Sequence, residues 1–217
     1  SASTLLSIKN MEIDFPSRDG HGRVTAVKDL NLDLAQGEIG CLLGSSGCGK
    51  STVLRAICGF EPVKAGKILL RDQVVSSTST HLQPNQRKVG MVFQDYAVFP
   101  HLSVFDNVAF GLIQKKVPAA EIAKRVNDML ATVQLGDHAQ RMPHQLSGGM
   151  KQRAAIARAL ANEPRILLMD EPFGALDPQT RQQMQAYLLQ IWRNVDITVF
   201  FITHDLDEAI FLSDRIL

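Results

Sequence analysis

A glycine-rich loop at residues 44–51 reads GSSGCGKS and fits the pattern GxxxxGK[ST] at every fixed position. The pattern is typical of a loop whose backbone N–H groups surround nucleotide phosphates, with a helix N-terminus adding positive potential. The Lys50 side chain can reach the β- and γ-phosphates, and the Ser51 hydroxyl can hold Mg²⁺. The alternative is an ordinary glycine-rich turn. The predicted phosphate-binding residues are Gly44, Ser45, Ser46, Gly47, Cys48, Gly49, Lys50, Ser51 and Thr52.

The segments on either side of this loop decide between the two interpretations. Residues 38–43 form an apolar run typical of a buried strand, and residues 52–57 have the pattern of a helix. Phosphate binding needs a strand before such a loop and a helix after it, so this context favours the functional interpretation. The sequence therefore predicts that the chain binds a nucleoside triphosphate.

A second chemical signal is a pair of carboxylates after the apolar run 165–169. Asp170 would face the phosphates as a partner of Mg²⁺, and Glu171 could orient an attacking water or accept its proton. A solvated loop start is the alternative. Together with the phosphate loop, the pair indicates hydrolysis.

A third signal is residues 146–153, which read LSGGMKQR. Ser147 is a good N-cap, and Gly148 and Gly149 expose backbone N–H groups at a helix N-terminus, which favours an anion there. Taken alone, such a segment before a helix is more often a plain cap. The helix that follows directs Ile156, Ala157 and Leu160 toward the core.

The rest of the chain alternates strand and helix signals, which predicts an α/β fold. The segment 76–85 is polar and predicts an exposed loop. Residues 103–112 and a helix from Pro118, closed by Gly136, predict a helical insert of roughly 40 residues. Strands are predicted at 26–34, 66–70, 89–93, 165–169 and 197–202, and a helix after Pro178.

Composition excludes some classes of protein. The chain has 217 residues, 45% of them hydrophobic, and a net charge of +1, which gives no electrostatic case for nucleic acid or an anionic membrane surface. The first residues lack the pattern of a secretion signal. Cys41, Cys48 and Cys58 fit no zinc spacing and predict reduced thiols in a cytosolic protein.

The chain resembles the ATPase subunits of ABC transporters over essentially its whole length. The motifs stand in that family's order: the phosphate loop at 44–51, the Q-loop Gln94, the signature at 146–149, the Walker B pair Asp170 and Glu171, the D-loop at 175–177 and the switch histidine His204. The resemblance implies an α/β P-loop NTPase core, RecA-like with a mostly parallel sheet. An antiparallel β subdomain and an α-helical subdomain at about 101–158 would complete one nucleotide-binding domain over 1–217.

The resemblance also implies that two copies pack head-to-tail and sandwich two ATP molecules with Mg²⁺. Each ATP would lie on one copy's phosphate loop and be contacted in trans by Ser147, Gly148, Gly149 and Asp177 of the other. Glu171, His204 and Gln94 would be catalytic, and Ser51, Gln94 and Asp170 would hold Mg²⁺. Phe15 would stack on adenine, with a core phenylalanine as the alternative. His204 could instead cap the following helix.

One departure from the family pattern is Met150, where the signature usually continues with glutamine. The backbone donors and the Ser147 hydroxyl are retained, so phosphate binding should survive. A polar contact from position 150 and some tuning of the rate are put in doubt.

Residues 92–102 and 107–112 resemble bacterial importers of the sugar, polyamine, sulfate and iron group. Residues 40–44, 57–61 and 143–146 favour iron(III), with a polyamine, sugar, sulfate or phosphonate importer as the alternative. The implied partners are integral membrane permease subunits and, indirectly, a periplasmic solute-binding protein, with the chain at the cytoplasmic face of the inner membrane. A groove that accepts a short helix of the permease would be lined by Tyr96, Val98, Phe99 and Leu102. Alternatively, these side chains pack the helical insert against the sheet.

Other classes fit the sequence less well. A chromosome-maintenance or DNA-repair ATPase would place a long coiled coil before the signature, and residues 52–145 have no sustained heptads. A translation-type ATPase would carry two copies of the motifs. A regulator that does not hydrolyse ATP would lack Glu171 or His204, whereas an exporter subunit remains open. Family members usually continue past this point with more of the core and a C-terminal regulatory domain. We therefore expect that this chain is truncated near Leu217 and that the regulatory domain is absent from it.

Overall fold

A computed structural model describes residues 3–217, which form two compact units. The first unit runs to Val89 and resumes over Ile197–Leu217, and the second is the segment between them. The strands are β1 (Thr4–Pro16), β2 (Arg23–Ala35), β3 (Ile39–Leu43), β4 (Ala65–Leu70), β5 (Gln73–Ser76), β6 (Val89–Val92), β7 (Ile166–Asp170), β8 (Thr198–Thr203) and β9 (Arg215–Ile216).

The helices are distributed unevenly between the units. The first unit contains two α-helices, and the second contains four α-helices and the strand β7. Short 3₁₀ turns lie at Pro84–Gln86, Gly136–His138 and Pro143–Gln145. The α-helices are α1 (Lys50–Cys58), α2 (Val104–Gln114), α3 (Ala119–Thr132), α4 (Gly148–Ala161), α5 (Pro178–Val195) and α6 (Leu206–Leu212).

The first unit combines an antiparallel sheet with a parallel one. The antiparallel sheet has the order β2-β1-β4-β5. In the parallel arrangement, β3 lies between β8 and β9, and Gly40 pairs with Phe200. All six residues of β8 are buried. Burying a large apolar side chain stabilises the fold by about 1.5–3 kcal/mol, so β8 anchors β3 and the loop that follows it.

The second unit is mainly helical. Helix α4 buries the small side chains Ala154, Ala155 and Ala157, which allow neighbouring elements to approach its backbone closely. Strand β7 is apolar and buried until Asp170, its last residue. The unit therefore presents a carboxylate at the end of a rigid strand. No helix among residues 3–217 is both long and apolar enough to cross a membrane.

The structure confirms the predicted strands and helices around the motifs, including the end of β3 before residue 44. It corrects the end of α3, which stops at Thr132 rather than at Gly136. Gln134 adopts a left-handed conformation with φ 56°, and this turns the chain so that Leu135 is buried. Gly136 instead begins a 3₁₀ turn. The 13-residue strand β1 was not predicted from the hydrophobic pattern.

The predicted exposed loop at 76–85 is wrong at its first residue. Ser76 ends β5 and is fully buried, and its hydroxyl accepts a hydrogen bond of 2.8 Å from Arg87 Nη2. The buried Arg87 guanidinium also donates to the carbonyls of Ala56 and Ile57, at the C-terminus of α1. A cation is favourable at that end of a helix. The hydrogen bonds of the buried Arg87 therefore hold the segment around Ser76 against α1.

Candidate nucleotide-binding site

The phosphate loop lies between β3 and α1 in the first unit. Lys50 is 6% exposed, and its Nζ donates to the carbonyl oxygens of Gly44 at 2.6 Å and Ser45 at 2.7 Å. Gly49 has φ 94°, and an ideal Cβ there would lie 2.6 Å from the carbonyl oxygen of Ala26. Only glycine fits that position. The loop therefore concentrates a cation and the N-terminus of α1, which is the chemistry that binds phosphate.

Phe15 lies near the loop, on β1. It is half-buried and lines a cavity of about 420 Å³ together with Pro16, Ser17, Arg18, Val24 and Ala26. Ala26 is also the residue whose carbonyl a Cβ at Gly49 would meet, so the cavity adjoins the phosphate loop. Phe15 is not part of the closed core, and a planar aromatic group could stack there.

His204 follows β8 at the same sheet edge as the phosphate loop. The backbone N–H of Gly44 donates to the carbonyl of Thr203 over 3.3 Å, which ties the two segments together. The cap of α6 is Asp205, whose Oδ1 accepts from the N–H groups of Asp207 at 2.9 Å and Glu208 at 3.2 Å. The alternative role of His204 as that helix cap is therefore wrong, and its imidazole is exposed.

In the second unit, Glu171 directly follows β7 and has a left-handed φ of 45°. Its carbonyl accepts from the N–H of Gly174 at 3.1 Å. An ideal Cβ at Gly174 would lie 3.6 Å from Gln94 Nε2. The structure therefore brings Gln94 next to the turn that carries the Asp170–Glu171 pair.

The signature segment lies at the N-terminus of α4, in the same unit. The Ser147 hydroxyl accepts from the N–H of Met150 at 3.2 Å, which confirms the predicted cap. This bond uses the backbone of Met150, so the cap does not depend on its side chain. An ideal Cβ at Gly148 would lie 3.0 Å from Leu176 Cδ2, which places the D-loop beside the signature.

Asp177 caps α5, the helix that follows the D-loop. Its Oδ1 accepts from the N–H of Thr180 at 3.0 Å. Hydrogen bonds from Thr180 lower the pKa of Asp177 below its usual value. The carboxylate is therefore ionised as well as exposed at neutral pH.

Two buried polar side chains hold these segments; Gln152 was not singled out from the sequence, and Tyr96 was predicted to line a groove. Gln152 is fully buried on α4, and Tyr96, two residues after Gln94, is 4% exposed. Burial raises the pKa of Tyr96 to about 12, so its hydroxyl remains a hydrogen-bond donor. The signal for Gln152 is its place one helical turn before Ile156, on the buried face of α4.

A strand, a GxxxxGKS loop and a helix capped by glycine, with a carboxylate pair ending another strand, define a P-loop nucleoside triphosphatase core. Residues 27–174 match the model of the family described as "ABC transporter". The chain belongs to this family and has the ABC ATPase fold.

The similar proteins include import subunits of about twice its length. The spermidine/putrescine import ATP-binding protein PotA of Thermobifida fusca is 54% identical over 92% of this chain and 51% of its own length. The protein of that name from Salmonella typhimurium is 50% identical over 100% of this chain and 54% of its own. The chain spans about half the length of these curated relatives.

Solved structures show the same fold. The ATP-binding cassette MJ0796, in a dimeric post-hydrolysis state bound to ADP and Pi, matches with a TM-score of 0.82 and 33% identity. That match covers 98% of this chain and 93% of MJ0796. The structure of cbiO1 from Clostridium perfringens, part of the ABC transporter complex cbiONQ, matches with a TM-score of 0.85 and 30% identity over 98% of this chain and 83% of its own.

Proposed function

We propose that this chain is the ATP-hydrolysing part of a bacterial importer and that the imported solute is a polyamine of the spermidine and putrescine class. The phosphate loop with its buried Lys50 is the observation that carries nucleotide binding. The polyamine assignment is supported by relatives at 50–54% identity that are named for spermidine/putrescine import. These names do not support the iron(III) prediction and favour its stated alternative.

The nucleotide is ATP, with Mg²⁺ as its counter-ion. Ser51, Asp170 and Gln94 offer hydroxyl, carboxylate and amide oxygens, and Mg²⁺ prefers such hard oxygen ligands. Ser51 is exposed in the first turn of α1, and Asp170 is half-buried at the end of β7, so both oxygens have a rigid support. The ion would neutralise charge on the β- and γ-phosphates. Residues 44–52 would surround the phosphates, and Phe15 would stack on the base.

Hydrolysis would be carried out by three side chains of the subunit that binds the ATP. Glu171 would orient the attacking water and take its proton. His204 would hydrogen-bond the γ-phosphate, and Gln94 would bind the water and the metal. The exposed imidazole of His204 and the position of Gln94 beside the Glu171 turn support these roles.

Two copies would form the working unit. Each chain has one phosphate loop and one signature segment. Ser147, Gly148, Gly149 and the ionised Asp177 would contact the nucleotide held by the other copy. The dimeric MJ0796 structure supports a working unit of two copies. Because the signature would contact only bound ATP, the nucleotide selectively stabilises the closed dimer.

Permease subunits would dock beside the segment after Gln94, at the cytoplasmic face of the membrane. The Phe99 ring packs against the Phe110 ring at a tilt of 45°, with centroids 4.6 Å apart, and Phe110 and Ile113 are 37% and 51% exposed. These side chains form an apolar surface that a short helix of the permease could cover. Tyr96, by contrast, is buried and cannot line that groove, so its part of the prediction is wrong.

Replacing Phe99 with glutamate should uncouple transport from hydrolysis. Loss of a buried aromatic anchor costs about 2 kcal/mol, so permease binding and uptake should fall by roughly 30-fold. ATPase activity of the isolated subunit should stay within about twofold of wild type. Phe60→Glu is the control, because Phe60 is 46% exposed in the other unit. Unchanged copurification with the permease and unchanged uptake would exclude the groove.

The proposed function is tested with the full-length protein and its permease in proteoliposomes. We expect spermidine- or putrescine-loaded binding protein to stimulate ATP hydrolysis and drive uptake, with Lys50→Ala abolishing both. Stimulation by iron(III)-loaded binding protein instead, or by neither solute, would contradict the polyamine assignment. Absence of any ATP hydrolysis by the wild-type complex would contradict the function itself.

A further inference from the structure

The carbonyl oxygen of Pro172 joins three segments of the second unit. Pro172 directly follows Glu171 and is buried. Its carbonyl accepts a hydrogen bond from Gln152 Nε2 on α4, and another of 3.4 Å from the Tyr96 hydroxyl. The signature helix, the segment after Gln94 and the Glu171 turn therefore share one acceptor.

Gln152 is an unfavourable choice for packing alone. It is 0% exposed, and within the described part of the chain its Oε1 has no hydrogen-bond partner. A buried polar atom without a partner is costly, whereas leucine or methionine would fill similar volume without that penalty. The feature that an apolar side chain cannot replace is the N–H donated to Pro172.

The backbone at Glu171 needs external support. A non-glycine residue at φ 45° is in a sparsely populated conformation, which persists only where its surroundings hold it. The Gly174 N–H binds the Glu171 carbonyl at 3.1 Å. The next carbonyl along the chain is the one bound by Gln152 and Tyr96. The Glu171 turn is thus held at two successive carbonyls.

We propose that Gln152 is a positioning residue: it ties the signature helix to the Glu171 turn of its own subunit. Gln152 lies one helical turn after Gly148, and a helix moves as a rigid element, so displacement of the Ser147 end reaches Pro172. When the signature contacts the partner's nucleotide, the helix would then position Glu171 to hydrolyse the nucleotide bound to the same subunit as that Glu171. This inference rests on the proposed function.

The first test measures ATP hydrolysis of the full-length Gln152→Leu variant in complex with its permease. A misplaced catalytic group costs up to about 100-fold, so we expect kcat to fall by about 10- to 100-fold and KM to stay within about threefold. Gln183→Leu, the same change on an exposed face of α5, should leave both unchanged. A wild-type kcat for Gln152→Leu overturns the inference without affecting the proposed function, which wild-type turnover establishes separately.

The Gln152→Glu variant separates donation from packing. A protonated carboxyl can donate to Pro172, an ionised one cannot, and burial raises the pKa of a carboxyl. We expect Gln152→Glu to exceed Gln152→Leu in activity at pH 6 and to approach it by about pH 9. Equal activity of the two variants at pH 6 would contradict a donor role. This is also the result expected if both substitutions only lowered the stability of the protein.

Mixed dimers test whether Gln152 acts within its own subunit. In a Gln152→Leu and Ser147→Arg pair, one composite site has an intact Glu171 turn and an intact signature serine, so activity should reappear. In a Gln152→Leu and Lys50→Ala pair, the intact phosphate loop belongs to the subunit with the loosened turn, so activity should stay low. The reverse pattern would show that Gln152 acts through the signature on the partner's nucleotide, and would overturn the inference.

Discussion

Replacing Glu171 with glutamine should abolish most ATP turnover while leaving ATP binding intact. The amide keeps the size of the side chain but cannot accept the proton of the attacking water. Loss of a general base lowers a rate by about 10²- to 10⁴-fold, so we expect a fall in kcat of that size. Steady-state phosphate release measures it, and nucleotide titration measures binding.

The variant should also accumulate as an ATP-bound dimer, because in the proposed mechanism ATP would stabilise the closed pair and would no longer be hydrolysed. Size-exclusion chromatography with ATP and with ADP detects this. Glu163→Gln provides a matched control, since the Glu163 side chain is 74% exposed and lies in the loop after α4. Turnover close to wild type in Glu171→Gln would exclude Glu171 as the hydrolytic base.

Replacing Ser147 with arginine should inactivate the dimer through the partner's site. The Ser147 side chain is exposed at the N-terminus of α4, and arginine there would place a bulky cation against the γ-phosphate held by the other copy. The altered subunit retains its own phosphate loop. We expect turnover to fall by about 100-fold or more, comparable to loss of a catalytic contact, while ATP binding is preserved.

Ser147→Ala distinguishes steric obstruction from loss of the hydroxyl. It removes the cap on the Met150 N–H at a cost of about 1 kcal/mol to the helix, but the glycine N–H groups remain. Turnover of Ser147→Ala should therefore lie between those of wild type and Ser147→Arg. Full activity of Ser147→Arg would mean that the signature does not approach a nucleotide.

The parts of the site that sequence predicts are those coded locally. The GSSGCGKS loop, the apolar run before Asp170 and the Ser147 cap each depend on residues within one turn or strand. Their structures follow from backbone conformation and burial pattern. The end of α3 could not be predicted from such local patterns. Gly136 was expected to end the helix, but the left-handed residue after the helix is Gln134, a residue type that does not signal this conformation.

Contacts between distant residues account for the other misses. Ser76 is buried because Arg87 binds it, and Gln152 is held by Pro172, 20 residues further along. Hydrophobic periodicity carries no information on such pairs. The solute was predicted from residues such as those at 57–61, in the nucleotide-binding part, where no imported solute would bind. Comparison with relatives supplied the polyamine assignment instead.

The most direct test of the account is ATP hydrolysis after mixing full-length Ser147→Arg with full-length Lys50→Ala. Each homodimer should be inactive, since every composite site carries one defect. In the mixed dimer, one site carries both defects and the other carries neither, so partial activity should return in proportion to the mixed fraction. Failure of the mixture to exceed its components, or full activity of either variant as a dilute monomer, would contradict hydrolysis at sites shared between two copies.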